Sequence, residues 1–280
     1  MPDPLFPELI DARLLAQQVR LLRRWFRLLP LGEAVFRLQT HSLPARAACL
    51  TFEHGHATHA DVVLPVLQHY AVAATFFVAS DYLDGACLWT EAVADVVRRA
   101  QGPRLCLGRS GFGRYDIGSP ARRRSAIESL LAALRELAPA ERQARVASLA
   151  RHFESAMLDA DRVLALHRAG MEIGAHPASD AALGSLPNGL AHSEIACGRA
   201  RLQEIIQAPV RLFAYPGGTP GRDFKARHAN MLRSQGFDAA VSCAAGAARV
   251  DTDLFQLPRW APQRRNGATF LLQMTRNLCA

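Results

Sequence analysis

The sequence predicts an α/β fold. Short apolar segments alternate with longer segments of helical periodicity, and half of the 280 residues are hydrophobic, enough to form a sizeable core. Such alternation is typical of parallel strands joined by crossover helices. The predicted strands are residues 47–52, 74–78, 172–175, 210–215, 237–242 and 255–257.

The first element is a helix, because Leu15, Val19, Leu22, Phe26 and Leu29 recur at spacings of three and four before a proline. Five arginines lie largely off this stripe. They indicate either a helix that docks on the domain with a solvated basic face or one that lies on an anionic membrane surface. These arginines are Arg13, Arg20, Arg23, Arg24 and Arg27.

Helical patterns separate the predicted strands along the rest of the chain. Residues 102–120 are rich in Gly and Arg and are expected to form an insertion or a long loop. No internal repeat or low-complexity linker is present. The predicted helices are residues 61–70, 91–99, 121–137, 140–153, 161–169, 193–206 and 224–234.

The composition limits the classes of protein to which the chain can belong. The 33 basic and 25 acidic residues give a net charge of +8, but no dense basic run is interleaved with aromatic residues, so we expect no nucleic-acid partner. No apolar run approaches the ~18–20 residues of a membrane-spanning helix, and no secretory signal is seen, which predicts a cytoplasmic protein. Six scattered cysteines fit small buried residues of a reducing compartment.

Polar segments follow four of the predicted strands. Glu53 and His54 follow the first strand, a segment that begins at His176 follows the third, and Pro216 follows the fourth. Arg259 and Trp260 follow the last strand. Because the carboxyl ends of parallel strands share one face, we expect these residues to meet in one site.

Metal binding is one function that these residues allow. His54, His176 and Asp180 supply two imidazoles and one carboxylate, a common ligand set for catalytic zinc. Glu53 is a further carboxylate, placed to take a proton from the attacking water. An alternative cluster combines His54 with His56 and His59.

The motifs resemble those of polysaccharide deacetylases, a family of metal-dependent carbohydrate esterases. Leu50-Thr51-Phe52-Glu53-His54-Gly55 is similar to the family's T-F-D-D-G motif, and further matches continue to Trp260. The resemblance implies a distorted (β/α) barrel of fewer than eight strands over residues 43–280, after an N-terminal helical lead-in over residues 1–42. The other matching segments are residues 43–47, 64–67, 74–78, 171–176, 213–216, 236–242 and 256–259.

The resemblance also implies roles for the residues at the site. In the family, the first Asp of T-F-D-D-G is the general base and the second binds the metal, whereas Glu53 and His54 stand here. The family's H-x-x-x-H motif reads His176 and Asp180. Carboxylate and imidazole are therefore exchanged between the two motifs. We expect either a displaced divalent ion, Zn²⁺ for preference, or a decayed site.

Other expected roles come from the third motif and the last strand. The resemblance implies that the backbone N–H of Gly217 stabilises the oxyanion. We expect Tyr215, Pro216, Arg259 and Trp260 to contact the substrate, although core and turn roles are open for Trp260 and for the segment at Pro216. The arginine that orients the base in many family members is replaced by Ala214. His192 is a guess for the leaving-group acid.

Three functions follow as hypotheses. The first is a metal-dependent hydrolase that removes acetyl groups, as amides or esters, from a bacterial polysaccharide or its precursor. The second is a non-catalytic relative that binds carbohydrate or acts as a scaffold in polysaccharide assembly. The third is a protein that acts on a membrane surface or nucleic acid through the basic face of the first helix.

Overall fold

The computed structural model describes residues 11–83, 85, 89–137, 139–150, 157–261 and 267–278. The chain divides into two compact units. One comprises the described residues of 10–84 and 158–280, and the other comprises those of 85–157. The boundary predicted between residues 42 and 43 stays a prediction, but the described part of the lead-in belongs to the same unit as the main sheet.

The helices and strands of the described residues are labelled in chain order. The α-helices are α1 (Ala12–Trp25), α2 (Leu31–Gln39), α3 (Leu64–His69), α4 (Trp89–Arg99), α5 (Pro120–Arg135), α6 (Pro139–Ala150), α7 (Ala160–Arg168), α8 (Asn188–Ile206), α9 (Ala226–Ser234) and α10 (Gly267–Leu278). The strands are β1 (Arg27–Leu28), β2 (Ala47–Ala48), β3 (Thr51–Phe52), β4 (Thr75–Val78), β5 (Arg104–Cys106), β6 (Arg114–Asp116), β7 (Glu172–Ala175), β8 (Leu212–Ala214), β9 (Ala239–Ser242) and β10 (Leu257–Pro258).

The main sheet has six strands in the order β10-β9-β8-β7-β4-β3, and every neighbouring pair is parallel. Its strands β4, β8 and β9 are fully buried, as expected for a parallel sheet covered on both faces. The sheet is curled, since Arg259 after one edge strand contacts Glu53 after the other. The predicted α/β fold, a distorted barrel with fewer than eight strands and a helical N-terminus, is confirmed.

The first predicted strand is divided. Residues 47–48 form β2 and pair with β1, whereas only residues 51–52 join the main sheet as β3. The pairing with β1 also ends the first helix earlier than the apolar stripe predicted. Phe26 is extended, and Arg27 donates its backbone N–H to Arg46 at 2.8 Å instead of continuing the helix.

Helix α1 docks by its apolar stripe. Leu15, Val19 and Leu22 are buried, and Asp11 caps the helix by accepting a 2.8 Å hydrogen bond from Leu14 N–H. The arginines of the opposite face are exposed. This geometry agrees with the docked-helix interpretation and leaves membrane contact as a prediction.

Helix α2 is tied to the amino end of the sheet. The carboxylate of Glu172, the first residue of β7, accepts the N–H of Gly32 at 3.0 Å and the Thr75 hydroxyl at 2.7 Å. A carboxylate is favourable there because the N-terminus of a helix carries unpaired N–H groups and a partial positive charge. The contact places the N-terminus of α2 at the amino ends of the strands, opposite to the carboxyl ends that carry the polar segments.

The unit of residues 85–157 has its own core. Helices α4 and α5 pack together, and their buried residues include Val93, Val97, Ile127 and Leu130. The predicted loop 102–120 contains a short antiparallel pair, β5 and β6. The predicted helix 140–153 ends at residue 150 in the structure, and residues 151–153 lie outside the described residues.

The composition also led to expectations about membrane-spanning helices and about the cysteines. Over the part of the chain that the structure describes, every helix is too short or too polar to cross a membrane. The described cysteines are all free thiols, but Cys106, Cys197 and Cys243 are exposed, so the expectation of small buried residues is wrong for these three. Cys49 is half-buried. Its burial, together with the negative charges of Glu172 and Glu33, raises the pKa of its thiol to about 12.

Candidate metal centre and active site

The polar segments lie at the carboxyl ends of the strands of the main sheet, as predicted. Glu53 and His54 follow β3, His176 follows β7, Gly217 lies beyond β8, and Arg259 follows β10. The two edge strands, β3 and β10, both contribute residues to the same site, because the curl of the sheet brings their carboxyl ends together.

The turn after β3 has an unusual backbone. His54 has φ +70° and Gly55 has φ +86°, a left-handed region that histidine adopts more readily than most residues. A Cβ atom at Gly55 would lie 3.0 Å from Cγ1 of Val78 on the neighbouring strand β4, so glycine allows the close approach. This turn ends the strand and turns the His54 imidazole toward β7.

His54, His176 and Asp180 converge. Oδ1 of Asp180 lies 3.1 Å from Nδ1 of His54 and 2.9 Å from Nε2 of His176. The two imidazole rings are 5.5 Å apart and nearly perpendicular. One ligand atom from each residue lies within 4.8 Å of the others, and among the described residues this is the set that could hold a metal ion.

The alternative cluster is not supported. His54, His56 and His59 form a row with ring centroids 5.8 Å and 5.5 Å apart. His59, however, is buried against the rings of Phe52 and Phe76, and burial lowers its pKa to about 3, with smaller contributions from the neighbouring imidazoles. It is a neutral core histidine of the π-helical turn His59–Val63.

The buried imidazole of His176 fits a metal ligand. It is fully buried, and within the described part of the chain neither of its ring nitrogens has a hydrogen-bond partner. Nε2 is close to Asp180, but the contact lacks hydrogen-bond geometry. Buried polar atoms are normally paired, so two nitrogen donors and a carboxylate that face one point fit a shared divalent cation.

The electrostatics of the cluster favour an ionised carboxylate. Burial alone would raise the pKa of Asp180, but its contacts with His176 and His54 hold that pKa well below its usual value. Burial would lower the pKa of His54, but the hydrogen bond to Asp180 and the negative charges of Asp180 and Glu53 together outweigh it, so the net shift of the pKa is upward. An ionised carboxylate is the form that binds a cation.

Asp180 is held by a tight turn. Its N–H donates to Pro177 O at 3.0 Å, and its φ of +58° is left-handed, so the segment is a turn and not the start of a helix. Glu194 of α8 accepts hydrogen bonds from the N–H and the hydroxyl of Ser179, both at 2.8 Å. The hydroxyl of Tyr82 donates to Ser179 O at 2.9 Å.

Helix α8 also contacts this segment through a glycine. A Cβ atom at Gly198 would lie 2.6 Å from the backbone oxygen of His176 and 3.3 Å from Ala178 N. Glycine at this position therefore lets the helix pack directly on the backbone that carries the metal-site histidine.

Glu53 is paired with Arg259 across the two edges of the sheet. Nη2 of Arg259 donates to Oε1 of Glu53, and both side chains are largely buried. The same Nη2 lies 3.7 Å from Sγ of Cys243, which follows β9. Burial would lower the pKa of Arg259, but the charge of Glu53 raises it further above its ordinary value. An arginine thus holds the candidate base, although Ala214 stands where the family pattern has one.

The third motif follows β8, at the carboxyl end of the main sheet. Gly217 is exposed, with φ +66°, and within the described residues its N–H has no acceptor. The expectation that Tyr215 contacts the substrate needs correction. Its side chain is fully buried, stacks on Phe224 at 3.7 Å and donates to Phe255 O at 3.0 Å. Pro216 is buried as well.

The remaining expected residues lie outside the cluster. Trp260 is half-buried, and its ring lies 5.5 Å from that of Phe270 on α10. His192 is exposed on the first turns of α8, and its backbone oxygen accepts a hydrogen bond from Gln235. No contact joins either side chain to the cluster among the described residues, so both roles stay predictions.

Three supporting residues were not predicted from the sequence: Glu194, Tyr82 and Cys243. Glu194 lies in a predicted helix, and nothing in its spacing distinguishes it from a solvated carboxylate. Tyr82 lies just beyond the predicted strand 74–78, and Cys243 just beyond 237–242. The position of Tyr82 and Cys243 shortly after a predicted strand was the one feature of the sequence that could have indicated a place near the site.

The comparisons with known proteins agree with this geometry. A family model described as polysaccharide deacetylase matches residues 40–106, which include Glu53 and His54. No curated protein sequence matches the chain.

Several solved structures share the fold. The Streptococcus pyogenes deacetylase PplD, in complex with acetate, has 16% identity and a TM-score of 0.64, over 94% of this chain and 86% of its own. IcaB from Ammonifex degensii has 18% identity and a TM-score of 0.56, over 96% and 90%. A de-N-acetylase from Aggregatibacter actinomycetemcomitans has 14% identity and a TM-score of 0.59, over the same shares.

Imidazole and carboxylate groups lie at the carboxyl end of a curled parallel sheet, the face on which barrel enzymes carry their active sites. The family model over residues 40–106 and the fold shared with solved deacetylases agree with the resemblance that the motifs predicted.

Proposed function

We propose that the protein is a metal-dependent hydrolase that removes acetyl groups, as amides or esters, from a bacterial polysaccharide or its precursor. One observation carries the proposal: His54, His176 and Asp180 converge within 4.8 Å, and the buried ring nitrogens of His176 have no hydrogen-bond partner among the described residues. The names of the similar structures, which include a deacetylase bound to acetate and a de-N-acetylase, support an acetyl substrate.

The three residues of the cluster would hold the ion, with Zn²⁺ favoured by the two imidazoles. A divalent ion bound there supplies a Lewis acid that polarises the acetyl carbonyl. The exchange of ligand types between the two motifs keeps two imidazoles and one carboxylate in the set. The longer side chain at position 54 and the shorter one at position 180 shift the centre toward the turn after β7.

Glu53 acts as the general base that takes a proton from the attacking water. Arg259 is a positioning residue, because its guanidinium fixes one oxygen of Glu53 and leaves the other oxygen for the water. The N–H of Gly217 donates to the oxyanion, and such a donor typically contributes about 3–4 kcal/mol to lowering the barrier.

The test is metal content and acetate release, measured on the same preparations. Wild-type protein dialysed against trace zinc is expected to hold near-stoichiometric metal, whereas His176→Ala loses it. His69→Ala, which removes an exposed imidazole at the end of α3, is the matched control and keeps the metal. Wild type is expected to release acetate from N-acetylated or O-acetylated oligosaccharides, and Glu53→Gln to release at least about 100-fold less.

A second candidate is a non-catalytic protein that binds glycan in polysaccharide assembly. It is favoured by the direct hydrogen bond between His54 and Asp180, since a cluster satisfied by its own contacts needs no ion. The two candidates differ in the same experiment. Metal in neither wild type nor variant, with saturable glycan binding and no acetate release, would contradict the first and support the second.

A further inference from the structure

A large cavity lies at the open side of the curled sheet, within the unit of residues 10–84 and 158–280. Its volume is about 430 Å³, and both edge strands, β3 and β10, contribute to its wall. Helices α1, α2 and α10 cover it. This volume falls within the range of about 300–1,000 Å³ that is typical of ligand sites.

The described wall is predominantly aliphatic. Leu22 of α1 and Val35 and Leu38 of α2 line it and are buried. Apolar cavities do not hold ordered water, because water needs polar partners there. The residues around an empty cavity lose dispersion contacts in proportion to its size. The chemistry of the wall therefore selects an aliphatic occupant.

The cavity is lined by neighbours of the candidate base and by residues of a helix that is tied to the opposite end of the sheet. Arg259, which contacts Glu53, lines one end together with Phe52, the residue directly before Glu53. Leu31 and Ala34 of α2 line the other end, and α2 is tied to the amino end of β7. Both the partner of the base and helix α2 thus line the cavity.

We propose that this cavity binds the acyl chain of the substrate, so that the site accepts amides or esters of chains longer than acetyl on a glycan. The proposal rests on the proposed function of the site. A general base must lie within hydrogen-bond reach of the water that attacks the carbonyl carbon. The chain that starts at that carbon, on the side away from the sugar, is the acyl chain, and two neighbours of Glu53, Phe52 and Arg259, line the cavity.

The reaction is ordinary hydrolysis with a longer acid as product. The water oxygen forms a bond to the carbonyl carbon, and the bond from that carbon to the sugar nitrogen or oxygen breaks. The proton taken by Glu53 is passed to the leaving group. The second proton of the water stays on the new carboxyl group and is then released to solvent, so that the fatty acid leaves as a carboxylate.

The test is binding, measured by calorimetry below the critical micelle concentration of the probes. Methyl 2-deoxy-2-dodecanamido-glucoside is expected to bind at least about 100-fold more tightly than methyl N-acetylglucosaminide, a conservative figure given the free energy of burying each methylene. Ala34→Phe places an aromatic ring in the cavity and is expected to abolish this preference. Gln39→Phe adds the same ring to the exposed end of the same helix and is the matched control. If Ala34→Phe does not fold, Ala48→Leu fills the cavity from another wall.

Equal affinity for the two probes, or a chain preference that both filling variants retain, would overturn the proposal. A dodecyl glycoside of N-acetylglucosamine that binds as tightly as the dodecanamide would also overturn it, because the cavity would then take the aglycone. Binding needs no turnover. A protein that prefers the long acyl chain but releases no acid would support the cavity assignment and contradict the proposed hydrolase.

Discussion

Glu194 is expected to control the metal centre although it does not belong to the cluster. Its carboxylate accepts both the N–H and the hydroxyl of Ser179 at 2.8 Å. These bonds hold the turn in which Asp180 keeps a left-handed backbone, a conformation that costs a non-glycine residue roughly 1–2 kcal/mol. Glu194→Gln replaces one acceptor oxygen by an amide donor and keeps the size of the side chain.

The magnitude follows from one lost bond. A hydrogen bond to a charged group contributes about 1.5–3 kcal/mol, and 1.4 kcal/mol corresponds to a factor of ten in an equilibrium constant. If this whole cost appears when Asp180 must be held for the ion, zinc affinity falls about 10–100-fold. This range agrees with the typical effect of losing a residue that orients a ligand.

The assay is competition for Zn²⁺ against a chromogenic chelator, combined with urea unfolding of the metal-free protein. Glu204→Gln is the matched control, since Glu204 lies on the same helix but is exposed and pairs only at the surface, with Arg201, a contact that contributes about 0–1 kcal/mol. Unchanged zinc affinity and unchanged stability in Glu194→Gln would refute the reasoning that this helix positions Asp180.

Two further predictions concern a glycine and a buried histidine. Gly198→Ala is expected to displace the backbone of His176, to cost about 1–3 kcal/mol of stability and to weaken zinc binding. Gly189→Ala adds a methyl group that meets open space on the same helix, so it is expected to keep both the stability and the zinc affinity. Equal behaviour of the two variants would contradict this packing argument. Because burial lowers the pKa of His59 to about 3, the unfolded chain binds one more proton below pH ~6.5, so stability falls with decreasing pH by about 1.4 kcal/mol per unit. Between pH 6.5 and 5 the wild type should therefore lose about 2 kcal/mol more than His59→Phe in urea unfolding, and parallel pH profiles would show that His59 is protonated in the folded protein.

The sequence determined the strands and the residues that follow them. Apolar runs with turn signals marked β4 and β7 to within one residue, because a buried parallel strand needs an unbroken apolar segment. Order along the chain then placed Glu53, His54 and His176 at one edge of the sheet, since parallel strands share the direction of their carboxyl ends. The resemblance to a family added the expected roles of these residues.

Only the tertiary structure decided which side chains meet. The contact between Glu53 and Arg259 joins residues that follow the two outermost strands, and it depends on the curl of the whole sheet. The convergence of His54 and Asp180 depends on two left-handed turns, which direct the side chains and leave no periodic signal in the sequence. Burial of Tyr215 and the cavity beside β3 likewise arise from packing between distant segments. Strand positions are local properties of the chain, whereas the direction of a side chain at a strand end is set by contacts with residues far away in the sequence.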